Sequence, residues 1–407
     1  MKKILLLLLV IILYNYGCKE KTTNPPEEQK PIGYQEDIPW PSLANSPWPI
    51  FHGDPQNTGR SKYPGPTSGI VQYVIENKDA YSGVVVGEDS SFFFVSRKDS
   101  GLFCYDQNGN YKWNYKVEYR PSIPSTPLIA NDGTIYFTAN PDPYFYAIKR
   151  DGTLKWKKKI YPMSQRGINI GKDGTIYLFT YTGKTFLTAI SPQGDSLWSI
   201  MNNDFFADIT ILSSDSKTIF TNGFKRGCYA IDIERQQIKW IFGYQNYFSG
   251  HCNPLTDFEG NVYVITNYEE NSNETYSLFS LNKYGQIRWK YKIFNNNYEN
   301  ISIDKYGNIY FALDTLQSLD INGNLRWKYA LKGYLAAPIT IDRNNNLFFL
   351  INSINQSGVI ALANDKKIIW ENYNISNFDY GGIPLAIGYN NSLYINSYNK
   401  QKIYFIR

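Results

Sequence analysis

Seven tryptophans recur along this chain at nearly constant intervals. They are Trp113, Trp156, Trp198, Trp240, Trp289, Trp327 and Trp370, separated by 43, 42, 42, 49, 38 and 43 residues. Periods of about 40 residues with strand-like content are typical of repeat architectures, and of propellers in particular. The spacing therefore predicts stacked copies of one structural unit.

Two positions at fixed distances before each tryptophan also repeat. Five units have glycine four residues earlier, where a tight hairpin favours positive φ: Gly109, Gly152, Gly194, Gly285 and Gly323. Gln236 and Lys366 take this place in the other two units. A small side chain stands nine residues before the tryptophan, at Cys104, Ala147, Ala189, Ser280, Ser318 and Ala361, with Ala230 displaced by one. These small residues indicate a crowded site between neighbouring sheets.

A second hairpin signal precedes an aromatic strand in each unit. Clear examples are Ile135-Tyr136, Ile176-Tyr177, Val262-Tyr263 and Ile309-Tyr310, and variants bring the number of units to eight. Each unit reads as four short antiparallel strands, and an aromatic content of 16% favours strands over helices. Such a sheet cannot bury both of its faces alone, so radial stacking is expected. The predicted fold is all-β, an eight-bladed β-propeller of four-stranded antiparallel blades.

The last unit is incomplete. It begins near Gly381 and ends after its third strand, Ile403 to Arg407, with no tryptophan following. Gly69 to Glu76 (GIVQYVIE) lies just ahead of the first full unit and is the candidate for the missing strand. We expect this N-terminal strand to complete the last blade and to close the ring.

The first residues have the order of a bacterial export signal. Lys2 and Lys3 precede an apolar run from Ile4 to Leu13, which is too short to span a bilayer. Gly17-Cys18 then looks like a lipobox, in which Cys18 becomes the lipid-attachment residue.

A plain secretory signal is the alternative to lipidation, because Asn15 stands where lipoprotein signals usually have an aliphatic residue. Residues 18–39 are rich in charge and proline and nearly empty of core-forming side chains. We therefore expect residues 1–17 to be the signal peptide, 18–39 a lipidated flexible tether, and 40–407 the propeller.

Charge, cysteines and histidines exclude several classes of function. The formal net charge of +5 falls to +3 without the signal lysines and is dispersed, which argues against nucleic-acid binding. Cys104, Cys228 and Cys252 have no disulfide or zinc spacing; a bridge between Cys228 and Cys252 or buried free thiols both fit. His251 and Cys252 are adjacent, so on a strand they would point to opposite faces and chelate a metal poorly.

Three other features have a structural interpretation, and two of them also have a functional alternative. His52 is expected to cap a loop or pack against the propeller. The run Lys155 to Lys159 is expected to be a solvated edge, with contact to an anionic lipid or acidic partner as the alternative. The longest insertion, Asn267 to Glu274, is either an ordinary tolerated loop or a distinctive contact loop.

The repeat motif resembles that of the PQQ-like β-propeller family, whose core is Ala-x-Asp-x-x-x-Gly-x-x-x-Trp. Ala147 to Trp156 and Ser318 to Trp327 follow it with one residue fewer before the glycine. The segment Trp48 to Ser61 is similar to the one that opens many propellers of this family. The resemblance implies the fold, but the family includes enzymes, scaffolds and proteins of unknown role.

Two functions follow from the resemblance. A PQQ-dependent quinoprotein dehydrogenase would need a quinone pocket, a calcium ion and a carboxylate base, and many such enzymes have adjacent cysteines and long insertions. This chain has no neighbouring cysteines and short loops. A similar lipoprotein of the outer-membrane β-barrel assembly machinery is instead a scaffold. We therefore expect a non-enzymatic, monomeric envelope lipoprotein without cofactor or metal. We expect it to be anchored through Cys18 to a membrane, with the outer membrane favoured, and to bind a protein or ligand.

Overall fold

The computed structural model describes residues 30–76, 78, 81–163, 166–206, 208–224, 227–243, 253–267, 276–293, 301–353, 357–375, 383–397 and 400–407. The chain divides into two units, Met1–Ile32 and Gly33–Arg407, and nearly all of the described residues belong to the second. The second unit is built from β-strands, and no helix occurs within these ranges.

Within the described ranges, thirty-four strands form eight sheets, which are the blades of the propeller. Blades 1 to 4 contain, from the inner strand outward, β2 (Val85–Val86), β3 (Phe92–Ser96), β4 (Gly101–Tyr105) and β5 (Tyr111–Lys116); β6 (Ile123–Pro124) with β7 (Leu128–Ile129), β8 (Ile135–Asn140), β9 (Tyr144–Ile148) and β10 (Leu154–Lys159); β11 (Asn169–Ile170), β12 (Ile176–Tyr181), β13 (Thr185–Ile190) and β14 (Ser196–Met201); and β15 (Ile211–Leu212), β16 (Thr218–Thr221), β17 (Cys228–Asp232) and β18 (Gln237–Phe242).

Blades 5 to 8 repeat this order. They contain β19 (Leu255–Thr256), β20 (Val262–Asn267), β21 (Tyr276–Leu281) and β22 (Ile287–Ile293); β23 (Ser302–Ile303), β24 (Ile309–Ala312), β25 (Thr315–Leu319) and β26 (Leu325–Ala330); β27 (Tyr334–Leu335) with β28 (Thr340–Ile341), β29 (Leu347–Asn352), β30 (Gly358–Leu362) and β31 (Ile368–Asn372); and β32 (Ala386–Gly388), β33 (Ser392–Ser397), β34 (Lys402–Ile406) and β1 (Val71–Glu76). In blades 2 and 7 the inner strand is split into two short pieces. The predicted eight-bladed, all-antiparallel fold is confirmed.

The last blade joins the two ends of the propeller. β1 pairs antiparallel with β34, so that Val74 lies opposite Tyr404 and Glu76 opposite Lys402. The backbone N–H of Arg407 also donates to the carbonyl of Ile70. Closure by the N-terminal strand is thereby confirmed.

A three-residue ladder crosses each of the first seven blades. In blade 2, Tyr136 of the second strand lies opposite Ala147 of the third, and Ala147 lies opposite Trp156 of the outer strand. The small side chain in the middle leaves room for the two flanking rings, whose centroids are 5.8 Å apart. The seven ring pairs, 5.8 to 6.0 Å apart, are Phe93–Trp113, Tyr136–Trp156, Tyr177–Trp198, Phe220–Trp240, Tyr263–Trp289, Tyr310–Trp327 and Phe348–Trp370.

Outer-strand tryptophans also contact the next blade around the ring. The indole N–H of Trp289 donates to the carbonyl of Ile321, two residues before the turn glycine Gly323. A Cβ placed on Gly323 would lie 2.6 Å from the Trp289 ring, and Gly323 has a φ of 84°. Glycine is therefore favoured here for two reasons, the positive φ and the indole lying against it.

The hydrophobic core is divided among the interfaces between blades. One cluster joins Phe93 and Cys104 of blade 1 to Ile129, Phe137 and Tyr146 of blade 2. Other clusters combine pairs of neighbouring sheets in the same way. This arrangement is what the inability of one sheet to cover its own faces predicts.

Candidate functional site

The segment before the first blade runs across the centre of the ring. Residues 48–61, here called the crossing, offer backbone carbonyls to the inner strands of six blades. The donors and acceptors are Val86 N to Trp48 O, Ile129 N to Pro49 O, Leu212 N to Pro55 O, Thr256 N to Gln56 O, Ile303 N to Thr58 O and Ile341 N to Gly59 O. The side-chain amide of Asn169, in blade 3, donates to Pro55 as well. The crossing thus fills the centre of the ring on the face that carries the hairpin turns, here called the turn face.

Residues 33–47, here called the outer pass, lie on the same face. Gln35 bonds through its backbone to Lys305 and through its side chain to the N–H of Phe258, 2.8 Å in each case. The Trp40 indole donates to the carbonyl of Ile170 at 2.7 Å. The compact unit begins at Gly33, and Gln35 ties its first residues to two turns.

His52 is enclosed within the crossing. Its Nδ1 lies 3.0 Å from both the carbonyl and the side-chain oxygen of Asn57, and its Nε2 lies 3.3 Å from Ser302 Oγ. Burial lowers the pKa of His52 from 6.5 to about 4, so the imidazole is neutral near pH 7. Its contacts are those of a packing residue.

Asp54 organises the turn of the crossing. Its carboxylate accepts hydrogen bonds from the backbone N–H groups of Gln56 and Thr58 and from the Thr58 hydroxyl. Burial raises the pKa of Asp54, opposed by these hydrogen bonds. All of these contacts are local, which makes Asp54 a turn-forming residue.

A charged cluster lies just before the inner strands of blades 3 to 5, next to the crossing, since Gly167 lies against Phe51. Arg166 Nε is 3.2 Å from Asp208 Oδ2, and the Asn253 amide donates to the same oxygen at 3.0 Å. The other oxygen, Asp208 Oδ1, is buried with no hydrogen-bond partner among the described residues. Sequence reasoning missed this cluster. Its one signal is that each member stands two or three residues before an inner strand.

The lysines of the predicted basic patch, Lys155 to Lys159, include three that bond to other residues of this chain. Lys155 pairs with Asp132 at 2.9 Å, and Lys157 pairs with Glu118. Lys158 donates to the carbonyl of Gly194. These contacts fit the solvated-edge interpretation better than a surface awaiting an anionic partner.

The structure places the other predicted residues as follows. The seven tryptophans and five turn glycines lie in the ladders and blade contacts described above, and these roles are structural. Cys104 and Cys228 are buried free thiols, and burial raises the pKa of each. Cys18, His251, Cys252 and residues 268–274 lie outside the described residues.

Two kinds of feature are absent from the part of the chain that the structure describes. In that part, no three histidine, cysteine or carboxylate side chains come together in a way that would hold a metal ion. It also contains no helix of the length and apolarity needed to cross a membrane.

With this geometry established, comparison with known proteins identifies the family. A family model described as the outer membrane protein assembly factor BamB matches residues 68–291. The chain belongs to this family. No curated protein matches the chain.

Solved structures share the fold of this BamB-family chain at low sequence identity. BamB from Moraxella catarrhalis is 13% identical, with a TM-score of 0.57 over 83% of this chain and 96% of that one. A europium-containing methanol dehydrogenase is 10% identical, with a TM-score of 0.63 over 86% and 89%. The quinohemoprotein alcohol dehydrogenase from Comamonas testosteroni is also 10% identical, with a TM-score of 0.63 over 90% and 81%.

The dehydrogenase neighbours raise the question of a hard metal ion at the centre of the ring. Such an ion takes six or more oxygen ligands, several of them carboxylates. Just before the inner strands of blades 3 to 5, Asp208 is already paired with Arg166 and bonded to Asn253. The described residues of this BamB-family chain therefore do not fit that group.

Proposed function

We propose that this protein is a non-enzymatic scaffold of the cell envelope, which binds a protein partner during outer-membrane protein assembly. Membership of the BamB family supports this proposal. The observation that carries it is a set of exposed apolar side chains on the face opposite the crossing. They are Tyr119, Tyr161, Tyr181, Met201 and Phe224, each 43% exposed or more, on loops or strand ends of blades 2 to 4.

These side chains favour protein binding for a physical reason. Aromatic residues and methionine are enriched where proteins meet, because they bury much apolar area. The backbone N–H of Tyr181 donates to the carbonyl of Tyr161, so at least these two lie side by side. A rigid ring holds them in place without any need for chemistry in the channel.

Site-specific photo-cross-linking in the native envelope tests the proposal. A photoreactive residue at Tyr181 should capture a partner that mass spectrometry identifies as a component of outer-membrane protein assembly. The matched control is Tyr284, which is 67% exposed but lies on the turn face. Equal capture from both positions, or none from Tyr181, would contradict the proposal. So would stoichiometric uptake of the quinone with calcium by the purified protein.

We also propose that the chain reaches the envelope as a lipoprotein acylated at Cys18. The lysines, apolar run and Gly17-Cys18 of the N-terminus support this. Cys18→Ser should abolish incorporation of radiolabelled palmitate and release the protein from membranes. Cys104→Ser, which changes a buried thiol, is the control and should leave both unchanged. Retention of the label by the Cys18 variant would contradict the lipoprotein assignment.

A further inference from the structure

A pocket lies between the outer pass and the crossing on the turn face. Its volume is about 480 Å³, within the range of about 300 to 1,000 Å³ that is common for small-molecule sites. Residues 35–47 form one wall, and Gly53 to Arg60 form much of the floor. The pocket is thus built by the segment before the blades.

The floor of this pocket holds a guanidinium with an unsatisfied nitrogen. Arg60 is only 12% exposed, and its Nη2 donates to the carbonyl of Glu36 at 3.3 Å. Its Nη1 is buried and has no hydrogen-bond partner among the described residues. A buried donor left without a partner is costly, and the cost is larger for a charged group.

Neither Asp54 nor Asp37 bonds to this nitrogen. The Asp54 carboxylate is occupied by Gln56 and Thr58. Asp37 lies 3.8 Å from Nη2, not Nη1, and is 49% exposed. A loose pair of this kind contributes little in water.

The walls of the pocket are apolar and stiff. Pro39, Pro41 and Pro55 line it together with Trp40, whose indole is fixed by its bond to Ile170. Phe258, 41% exposed, stands at the rim. Because proline rings restrict the backbone, little ordering is required when a ligand enters.

We propose that this pocket binds a carboxylate carried on an apolar or aromatic group, with the carboxylate on Arg60 and the apolar part against Trp40 and the prolines. A planar guanidinium suits a carboxylate because its N–H groups match the two oxygens. Either a polypeptide C-terminus or a free organic acid has this chemistry. The proposal is independent of the scaffold function and uses the face opposite the cross-linking site.

Calorimetric titration of the purified full-length protein tests it with three probes: acetyl-glycyl-phenylalanine with a free carboxylate, the same peptide as its amide, and 3-phenylpropanoate. Both acids should bind. The affinity for the amide should be lower by a factor of about ten or more. Tighter binding of the peptide identifies a polypeptide end as the source of the carboxylate. Tighter binding of phenylpropanoate identifies a small acid.

Two variants locate the interaction. Arg60→Gln should weaken binding of both acids by about tenfold or more, whereas Arg120→Gln, an exposed arginine on the opposite face, should not. Asp37→Asn should strengthen binding a few-fold, because it removes the competing carboxylate; this variant decides the matter if Arg60→Gln does not fold. No binding of either acid, equal binding of the amide, or an unchanged or weaker affinity in Asp37→Asn overturns the proposal.

Discussion

The eighth blade differs from the other seven in how its outer strand is held. In blades 1 to 7 a small residue lies between two large rings, whereas in blade 8 Phe405 lies between Tyr394 and Tyr73. Tyr73 stacks on Phe405 with centroids 4.6 Å apart and donates its hydroxyl to the carbonyl of Gln107. Gln107 stands two residues before Gly109, the position that an indole N–H reaches in other blades.

The comparison shows that neighbouring blades are held together by the same contact in both cases, even where the residue is not tryptophan. We call this contact of an outer-strand ring with the next blade's turn the latch. A ring against the turn glycine and a donor to the carbonyl two residues earlier are kept, although the residue type and its chain segment differ. Blade 8 also lacks the second attachment of its neighbours. Among the described residues, its inner strand makes no backbone hydrogen bond to the crossing, which bonds to blades 1, 2, 4, 5, 6 and 7.

Removing the strand that joins the two ends should have the largest effect. Deletion of 402–407 leaves β1 without its partner and should lower the free energy of unfolding by more than the ~3–5 kcal/mol of one buried aromatic truncation. Urea denaturation followed by far-UV circular dichroism measures this. Deletion of Arg407 alone removes its bond to Ile70 but leaves β34 paired with β1, so it should lower stability far less; equal stability of both truncations would break the comparison.

Truncating the two kinds of latch tests their equivalence. Trp289→Ala and Tyr73→Ala should each lower the free energy of unfolding by about 3 kcal/mol, since each removes a ring packed on the next blade. Leu325→Ala, at an outer-strand position 47% exposed, should change it by less than about 0.5 kcal/mol. A negligible loss in Tyr73→Ala would show that blade 8 is held differently.

The contribution of the crossing should appear in the pH dependence of stability. A His52 pKa lowered from 6.5 to about 4 means that the unfolded chain binds a proton which the folded chain does not. Stability from this residue is complete above pH 6.5 and falls as the pH drops towards 4, by about 3 kcal/mol in all. His52→Gln should flatten the profile in this window, as measured by urea denaturation at pH 7, 5.5 and 4. Identical slopes for wild type and variant would exclude this role.

The smallest effects concern the turn beneath each ring. Gly152→Ala adds a Cβ 2.7 Å from the Trp113 ring at a φ of 87°, and should cost about 1–2 kcal/mol. Lys366 has a φ of 74° at the equivalent turn. Lys366→Gly should therefore raise stability by about 1 kcal/mol, seen as a higher Tm. Stabilisation by both changes, or by neither, would contradict the shared geometry.

The ring could be predicted from the sequence because its determinants are local and repeated. Trp, Gly and the small residue recur at fixed offsets, and counting strands left one place that only Gly69 to Glu76 could fill. The candidate site could not be predicted, since its contacts join distant segments through backbone groups that every residue carries. Arg60 meets Glu36 only because two passes of one segment lie on the same face, and no periodicity marks that path.

The crossing also has a consequence for the order of folding. It is translated before any blade, yet the Nε2 of His52 lies against the carbonyl of Ile339, 287 positions later. The site that holds the crossing is complete only when seven blades have been made. The crossing is therefore among the last parts of the propeller to reach its final position. Phe51, which is fully enclosed in the finished molecule, packs with blades 4 and 5 and is uncovered until these have formed. A newly made chain consequently passes through a stage in which the crossing is uncovered, and association with other unfolded chains is a hazard of that stage.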